Sequence, residues 1–305
     1  MTLIAPPRSG LLTANLFCTL SMFSWAAGLP VADVLIPHVP ALPLTAARMG
    51  IAGLILTLVW ALVEGPATLR RAPWLRAIGI GTMLTIAGSL LILGQARTDA
   101  VTVAIISAAL PVVGIALEVA LDGRKLRFSL ILGVLLSLLG GILALSGQKL
   151  GLSLGLGAVF CLGSVLLYTL ASRFSVTALP EMTPLGRTSA TVAGAGLSAT
   201  LIALVAAGLG AAGPDWAALG PREGLALVIF AVFSMAISQL LWVWSVGSLG
   251  IGLAALHINA APFYVMLIAL AFGGAWQPMQ AIGAAVVVLG VMVAQGLLRL
   301  PARRG

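Results

Sequence analysis

Long apolar runs separated by short clusters of arginine, proline and glycine set the pattern of this chain. The runs are almost free of charged residues along their whole length. Each therefore predicts a helix of the kind a bilayer surrounds. About 20 such residues cross a hydrocarbon core of roughly 30 Å. The first run without a charge is 9–32. The second covers 44–63, with Arg48 in its first turns. Runs at 77–96, 100–117, 128–148 and 150–172 follow, and a seventh lies within 188–214. Then 224–298 holds no charge for 75 residues. At the α-helical rise that is roughly 110 Å, too long for two crossings. Gly247, Gly250 and Gly252 mark one break, and Gly273, Gly274 and Pro278 another. Spans near 224–246, 252–273 and 277–298 result. The sequence thus predicts an all-α integral membrane protein with ten transmembrane helices.

Composition agrees and narrows the class. Of the 305 residues 61% are hydrophobic and 8% charged, against about 25% charged in soluble domains. Mean hydropathy is +1.16. A soluble globular protein is excluded, because so few charges cannot cover its surface. The net charge of +8 then reports orientation and not a nucleic-acid partner. With the N-terminus inside, the inner segments hold Arg8, Arg70, Arg71, Arg76, Arg124, Lys125, Arg127, Arg173, Arg187, Arg299, Arg303 and Arg304. The outer segments hold Arg48, Arg97, Lys149 and Arg222. This bias places both termini in the cytoplasm of a bacterial-type inner membrane. No cleavable signal peptide is expected, since the run after Arg8 lacks a small-residue cleavage site. Cys18 and Cys161 lie in apolar runs with no ligand spacing, so no metal or cofactor is expected.

The two halves of the chain echo each other. Phe17-Cys18 matches Phe160-Cys161, Ser21 matches Ser164 and Trp25 matches Tyr168. Further on, Pro43-Leu44 matches Pro184-Leu185, Leu90-Leu91 matches Leu241-Trp242, Pro111 matches Pro262, and Gly133 and Gly140 match Gly283 and Gly290. The offsets run 143, 141, 151, 151 and 150, the jump falling in the loop around 214–222. Residues 1–148 and 149–305 therefore read as two five-helix repeats. Five is odd, so the second copy enters the membrane from the opposite side. Inverted repeats of this kind are typical of secondary transporters, with the substrate near the midplane between them.

The run Gln277-Pro278-Met279-Gln280-Ala281-Ile282-Gly283-Ala284-Ala285, with Leu289-Gly290-Val291 after it, resembles the last helix of the drug/metabolite transporter superfamily in its ten-span EamA branch. Leu132-Gly133 and Leu139-Gly140-Gly141 form the first-half copy. Glu118 with Asp122-Gly123, and Pro262 in an alanine-rich stretch, resemble further marks of that family. The resemblance covers essentially the whole chain and implies alternating access at a central cavity. Two departures stand out. Glu118 projects onto Ala269, so the second acidic mark is missing, and the first run carries no carboxylate. That disfavours export of small cationic drugs. The inner-face residues look similar to those of amino-acid exporters of the aromatic type.

Polar and small residues at helical spacing mark the faces turned from lipid. These are Phe17, Ser21 and Trp25; Thr82, Thr85 and Ser89; Gly157, Cys161, Ser164 and Tyr168; Ser234, Ser238, Trp242 and Ser245; and His257, Ala261 and Tyr264. The candidate substrate-binding set is Ser21, Trp25, Ser89, Ser164, Tyr168, Ser238, Trp242, His257, Asn259 and Tyr264. A hydroxyl in a span also bonds its own i−4 carbonyl, so each serine reads either as cavity wall or as local packing. His257 reads as a substrate contact or as a buried neutral imidazole on a backbone carbonyl. Asn259 must find a partner, as helix glue or cavity lining. Arg48 either attracts a substrate carboxylate or snorkels to the outer headgroups. Glu118 reads as a structural clamp ahead of a proton-coupling group. Trp60, Trp74, Trp216 and Trp276, at span ends, read as interfacial anchors. Pro111 and Pro262 are candidate gating hinges, each expected to free the carbonyl four residues earlier.

The function expected is a secondary transporter that exports small amphipathic metabolites, amino acids including aromatic ones, with small molecules and the lipid bilayer as partners. No ATP-binding loop is present, and the reading is not an enzyme. Two alternatives stay open: an intramembrane serine protease using Ser245 or Ser248 with His257, and a passive channel. The topology has a direct check. A reporter fused after Gly305 is expected to read cytoplasmic, and a periplasmic signal would overturn the ten-span arrangement.

Overall fold

The computed structural model describes residues 8–98, 100–107, 110–123, 125–145, 156–271, 278–294 and 298. All regular structure among them is helical. Helices α1 (Arg8–Leu35) and α2 (Ala41–Glu64) are joined by a short turn. The short α3 (Pro66–Arg71) leads into α4 (Trp74–Gln95). Next come α5 (Ala100–Ser107), α6 (Leu110–Asp122) and α7 (Phe128–Leu145). Helices α8 (Leu156–Thr177) and α9 (Pro184–Gly208) follow. After that, α10 (Pro221–Val228) runs through a π-helical stretch, Ile229–Ile237, into α11 (Ser238–Leu249). The chain continues as α12 (Ile251–Ala255), a 3-10 stretch Leu256–Ala260, α13 (Ala261–Ala271) and α14 (Pro278–Ala294).

Seven helices among the described residues are long and apolar enough to cross a membrane: Gly10–Leu35, Ala41–Glu64, Trp74–Gln95, Leu156–Thr177, Pro184–Gly208, Pro221–Leu249 and Ile251–Ile268. The other three expected spans fall on α5 with α6, on α7 and on α14, whose described apolar stretches are shorter. The boundary expected at residue 148 lies outside the described residues, as does Trp276. Leu12, Leu54, Leu62, Leu201 and Leu204 stand exposed on the outer surface, as residues facing acyl chains do.

Local chemistry sets the helix ends. Proline opens α3, α9 and α10, where its missing N–H costs nothing. The Thr183 hydroxyl caps α9 by accepting from the Gly186 N–H at 3.0 Å. The break after α11 is at Gly250 alone, with φ +79; Gly247 and Gly252 lie inside helices. One expectation is corrected here. The first helix extends to Leu35 and so includes Asp33, which accepts from Gln95 Nε2 at 2.8 Å.

Helix α2 lies along α9, and α4 packs on both α8 and α9. Helix α1 packs on α11 and the π-helical stretch, which also touches α2. Helices α6 and α12 pair, α7 and α14 pair, α1 meets α13, and α5 meets α8. At the centre of α2, α4 and α9 the backbones themselves touch. A Cβ on Gly53 would sit 2.8 Å from Ala193 Cα, and one on Gly196 would sit 2.9 Å from Gly50 Cα. One on Gly81 would lie 2.3 Å from the Ala195 nitrogen. Hydroxyls reinforce the contact: Thr85 donates to Ala195 O at 2.8 Å and Ser189 to Leu56 O at 2.9 Å. Thr82 meets Ser198 at 2.9 Å. Thr82 and Thr85 thus serve the α4–α9 joint.

Two substitutions test this joint. Gly81→Ala is expected to destabilise by about 1–3 kcal/mol through overpacking. Gly79→Ala, where nothing lies within 4 Å of the added carbon, is expected to leave thermal stability unchanged or slightly raised. Equal melting temperatures for the two variants would contradict the close approach.

Candidate functional site

Helices α1, α2, α4, α8 and α11 and the π-helical stretch converge on a cavity of about 60 Å³. Trp25 of α1, Ser164 and Tyr168 of α8, and Ser238 and Trp242 of α11 line it. So do Arg48 and Met49 of α2, Ser234 of the π-helical stretch, and Gln239. Trp25 and Tyr168 therefore share one space. The Tyr168 hydroxyl donates to Gln239 Oε1 at 3.0 Å, and its ring lies 6.0 Å from that of Trp242 at 34°. The Trp242 N–H donates to the Ser172 hydroxyl at 2.9 Å. The two large rings are thus oriented by hydrogen bonds that do not use the cavity. The volume holds a few waters, well under the roughly 300–1,000 Å³ of small-molecule sites. A cargo of amino-acid size needs these helices to part.

The other expected contacts lie elsewhere. Ser21 is fully enclosed between α1 and α11: its hydroxyl donates to Ser238 O at 2.8 Å, and the Ser238 hydroxyl returns a bond to Ser21 O at 2.9 Å. Ser89 donates to the Thr45 hydroxyl at 3.2 Å, joining α4 to α2. His257 Nδ1 lies 3.2 Å from Ala254 O, the carbonyl-bound alternative. Tyr264 meets Phe23 edge-on at 5.6 Å. Asn259 is buried and neither of its side-chain polar atoms has a hydrogen-bond partner, against the expectation that it would find one. The serine stripe of the eighth span turns mainly toward α1, since Ser234 also reaches Trp25 O and Ser245 reaches Ala14 O. Ser245 and Ser248 otherwise donate to Leu241 O and Trp244 O. Neither meets His257, so the serine–histidine pair of a protease is not assembled among the described residues.

Of the two readings of Arg48, snorkelling to the outer headgroups does not fit its place. It is 4% exposed and does not reach an outer headgroup region. Its guanidinium carbon lies 3.9 Å from the centroid of the Phe230 ring. Nη2 donates to Ser234 O at 3.3 Å. Nε is buried with no partner, and so is Gln239 Nε2. The backbone explains the Ser234 contact. At the end of the π-helical stretch the Ser238 N–H bonds the carbonyls of Phe233 and Met235 and bypasses that of Ser234, leaving it to Arg48.

Glu118 and the prolines also gain definite places. Glu118 Oε1 accepts from the Gly252 N–H at 2.9 Å, so a carboxylate of α6 caps α12. Asp122 pairs with Arg173 of α8. Pro262 lies just after the 3-10 stretch, within the continuous helical span Ile251–Ile268. Pro111 lies in α6 next to residues 108 and 109, which fall outside the described residues. The Ile258 carbonyl, expected to be freed by Pro262, accepts from the Ala261 N–H within the 3-10 geometry. Of the span-end tryptophans, Trp216 is exposed, whereas Trp60 is buried and donates to Glu64 at 3.1 Å. Trp60 is therefore packing and not an anchor at a headgroup surface.

Residues 12–146 match the EamA-like transporter family. The uncharacterized transporter YyaM of Bacillus subtilis (strain 168) is 33% identical over 76 residues. That stretch is 25% of this chain and 25% of that protein. A protein of known crystal structure is similar over 97% of this chain and 99% of its own length, with a TM-score of 0.74 at 19% identity. That likeness concerns the fold, and it spans both halves of the chain.

Proposed function

We propose that the protein is a secondary transporter that exports small amphipathic metabolites, amino acids with aromatic members among them, by alternating access. The observation that carries this reading is the central cavity, walled by Trp25, Tyr168 and Trp242 together with hydroxyl and amide groups. Aromatic walls suit an apolar side chain, and the polar groups suit a zwitterion. The family match over 12–146 supports transport.

The proposed mechanism needs two inverted repeats, 1–148 and 149–305. Helix packing supports them, because each pairing recurs when the halves are exchanged. The α4–α8 contact has its counterpart in α11–α1, and α4–α9 in the π-helical stretch against α2. Likewise α6–α8 corresponds to α13–α1, while α2–α9 and α7–α14 map onto themselves. The charge bias supports cytoplasmic termini in an inner membrane more strongly once Arg48 is removed from the outer set, leaving Arg97, Lys149 and Arg222.

Counterflow of labelled phenylalanine into proteoliposomes of the full chain tests the proposal. Saturable exchange is expected, and non-saturating flux would favour a channel. Trp25→Ala and Tyr168→Ala should each weaken apparent affinity roughly 2- to 10-fold through the lost ring contact. Normal affinity and rate in both variants would assign the pair to packing. Pro111→Ala and Pro262→Ala should slow turnover more than they weaken binding, because each stiffens the helix at the hinge and leaves the cavity contacts in place. Unchanged turnover would leave the two prolines as static features of the cavity wall.

A further inference from the structure

We infer that Arg48 is the carboxylate-binding group of the cavity, assisted by the Gln239 amide, so that the cargo carries a single carboxylate and a bare amine is excluded. This rests on the transporter reading and adds the substrate's charge to it.

A guanidinium removed from water and left without a counter-ion is costly, several kcal/mol even after relaxation. Arg48 is removed from water. Its partners are one carbonyl at 3.3 Å, the Ser234 hydroxyl at 3.5 Å and the face of Phe230. These offset part of the cost, but none is an anion. Among the described residues no carboxylate forms an ion pair with Arg48. Its Nε is a buried donor with nothing to donate to, and Gln239 Nε2 is a second one in the wall of the same cavity. Buried donors without acceptors are rare and mark either strain or a missing ligand.

The donor set defines that ligand. A guanidinium offers a planar fork that matches the two oxygens of a carboxylate. Nη2 is held by Ser234 and Nε is left over, so the fork is oriented before cargo arrives. Among the described residues Arg48 is the only charged one lining the cavity. One positive charge balances one negative charge, which favours a monocarboxylate over a phosphate dianion. The rest of the described wall is aromatic, methionine and aliphatic with neutral serine and glutamine groups, and holds no acidic group to pair with an ammonium. An amine without a carboxylate would therefore bring a second cation beside Arg48. The Gln239 carbonyl is already taken by the Tyr168 hydroxyl, which turns the amide so that its N–H donors remain for the anion.

Thermal shifts of the purified full chain decide it, with four probes: phenylalanine, 3-phenylpropanoate, phenethylamine and phenyl phosphate. Both carboxylates are expected to raise the melting temperature, and the amine and the phosphate are not. In Arg48→Gln the apparent affinity for the carboxylates should fall about 10- to 100-fold. The ligand-free variant should melt at or above the parent temperature, because an uncompensated buried charge is gone. Equal shifts with phenethylamine and phenylalanine, or carboxylate shifts retained in Arg48→Gln, would overturn this inference and leave transport standing. A dominant shift with phenyl phosphate would overturn the monocarboxylate class. If none of the four shifts the parent protein while phenylalanine counterflow is saturable, the Arg48 site is wrong; if counterflow is absent as well, the amino-acid reading falls with it. Should Arg48→Gln not fold, Arg48→Lys replaces it. It keeps the charge without the fork and is expected to lose carboxylate affinity, while the ranking of probes on the parent chain stands by itself.

Discussion

Helices surrounded by lipid feel no hydrophobic force toward each other, because acyl chains are as apolar as leucine side chains. Close backbone contact and hydrogen bonds between helices must do that work instead. The joint of α2, α4 and α9 meets this constraint with Gly53, Gly81, Gly194 and Gly196, whose missing Cβ atoms let main chains touch. Threonine and serine hydroxyls then donate across the gap to Ala195 O and Leu56 O. Around this joint the remaining helices arrange themselves: α8 lies on α4, and the π-helical stretch lies on α2. The same device recurs at α7 and α14, where a Cβ on Gly133 would lie 2.6 Å from Gly290 O.

A second joint works differently. Between α1 and the eighth span the contact is a ladder of hydroxyls. Ser245 reaches Ala14 O, Ser238 and Ser21 exchange bonds, and Ser234 reaches Trp25 O. Each bond carries a modest net energy of about 1 kcal/mol, and each can be exchanged for water if the cavity opens. Bulky groups do not block this seam, although a Cβ on Gly28 would meet the Ser234 hydroxyl at 1.9 Å. The cavity opens directly beside it, with Ser234 and Ser238 belonging to both.

Much of the architecture was legible because charge clusters and prolines punctuate apolar runs. Arg70, Arg71 and Arg76 separate two spans, and Pro184 and Pro221 open two more. The cavity wall was most legible where large rings were concerned, since Trp25, Tyr168 and Trp242 have no inexpensive place on a lipid face except near headgroups. Hydroxyl stripes were ambiguous for a physical reason. They announce that a face avoids lipid, but a neighbouring helix satisfies them as well as a cavity does, as Ser21, Ser89 and Thr85 show. Arg48 stayed ambiguous because distance from a span end does not tell a snorkelling side chain from one turned inward. The π-helical stretch has no sequence signature at all: Ile229–Ile237 is as apolar as any α-helical span.

The departures from α-helical geometry gather around the cavity. The π-helical stretch contributes Ser234 and Met235, and the 3-10 stretch contributes Ile258. Ideal α-helices packed through glycines are stiff, so the α2–α4–α9 joint has little room to deform without losing contacts that nothing in lipid replaces. Backbone that already departs from the i→i−4 ladder can shift between hydrogen-bond patterns at small cost, as π and 3-10 turns do. A cavity of about 60 Å³ would have to grow several-fold to take a cargo of the size proposed above. The geometry offers that growth at these two segments, both in the cavity wall, while the glycine joint would supply the fixed frame.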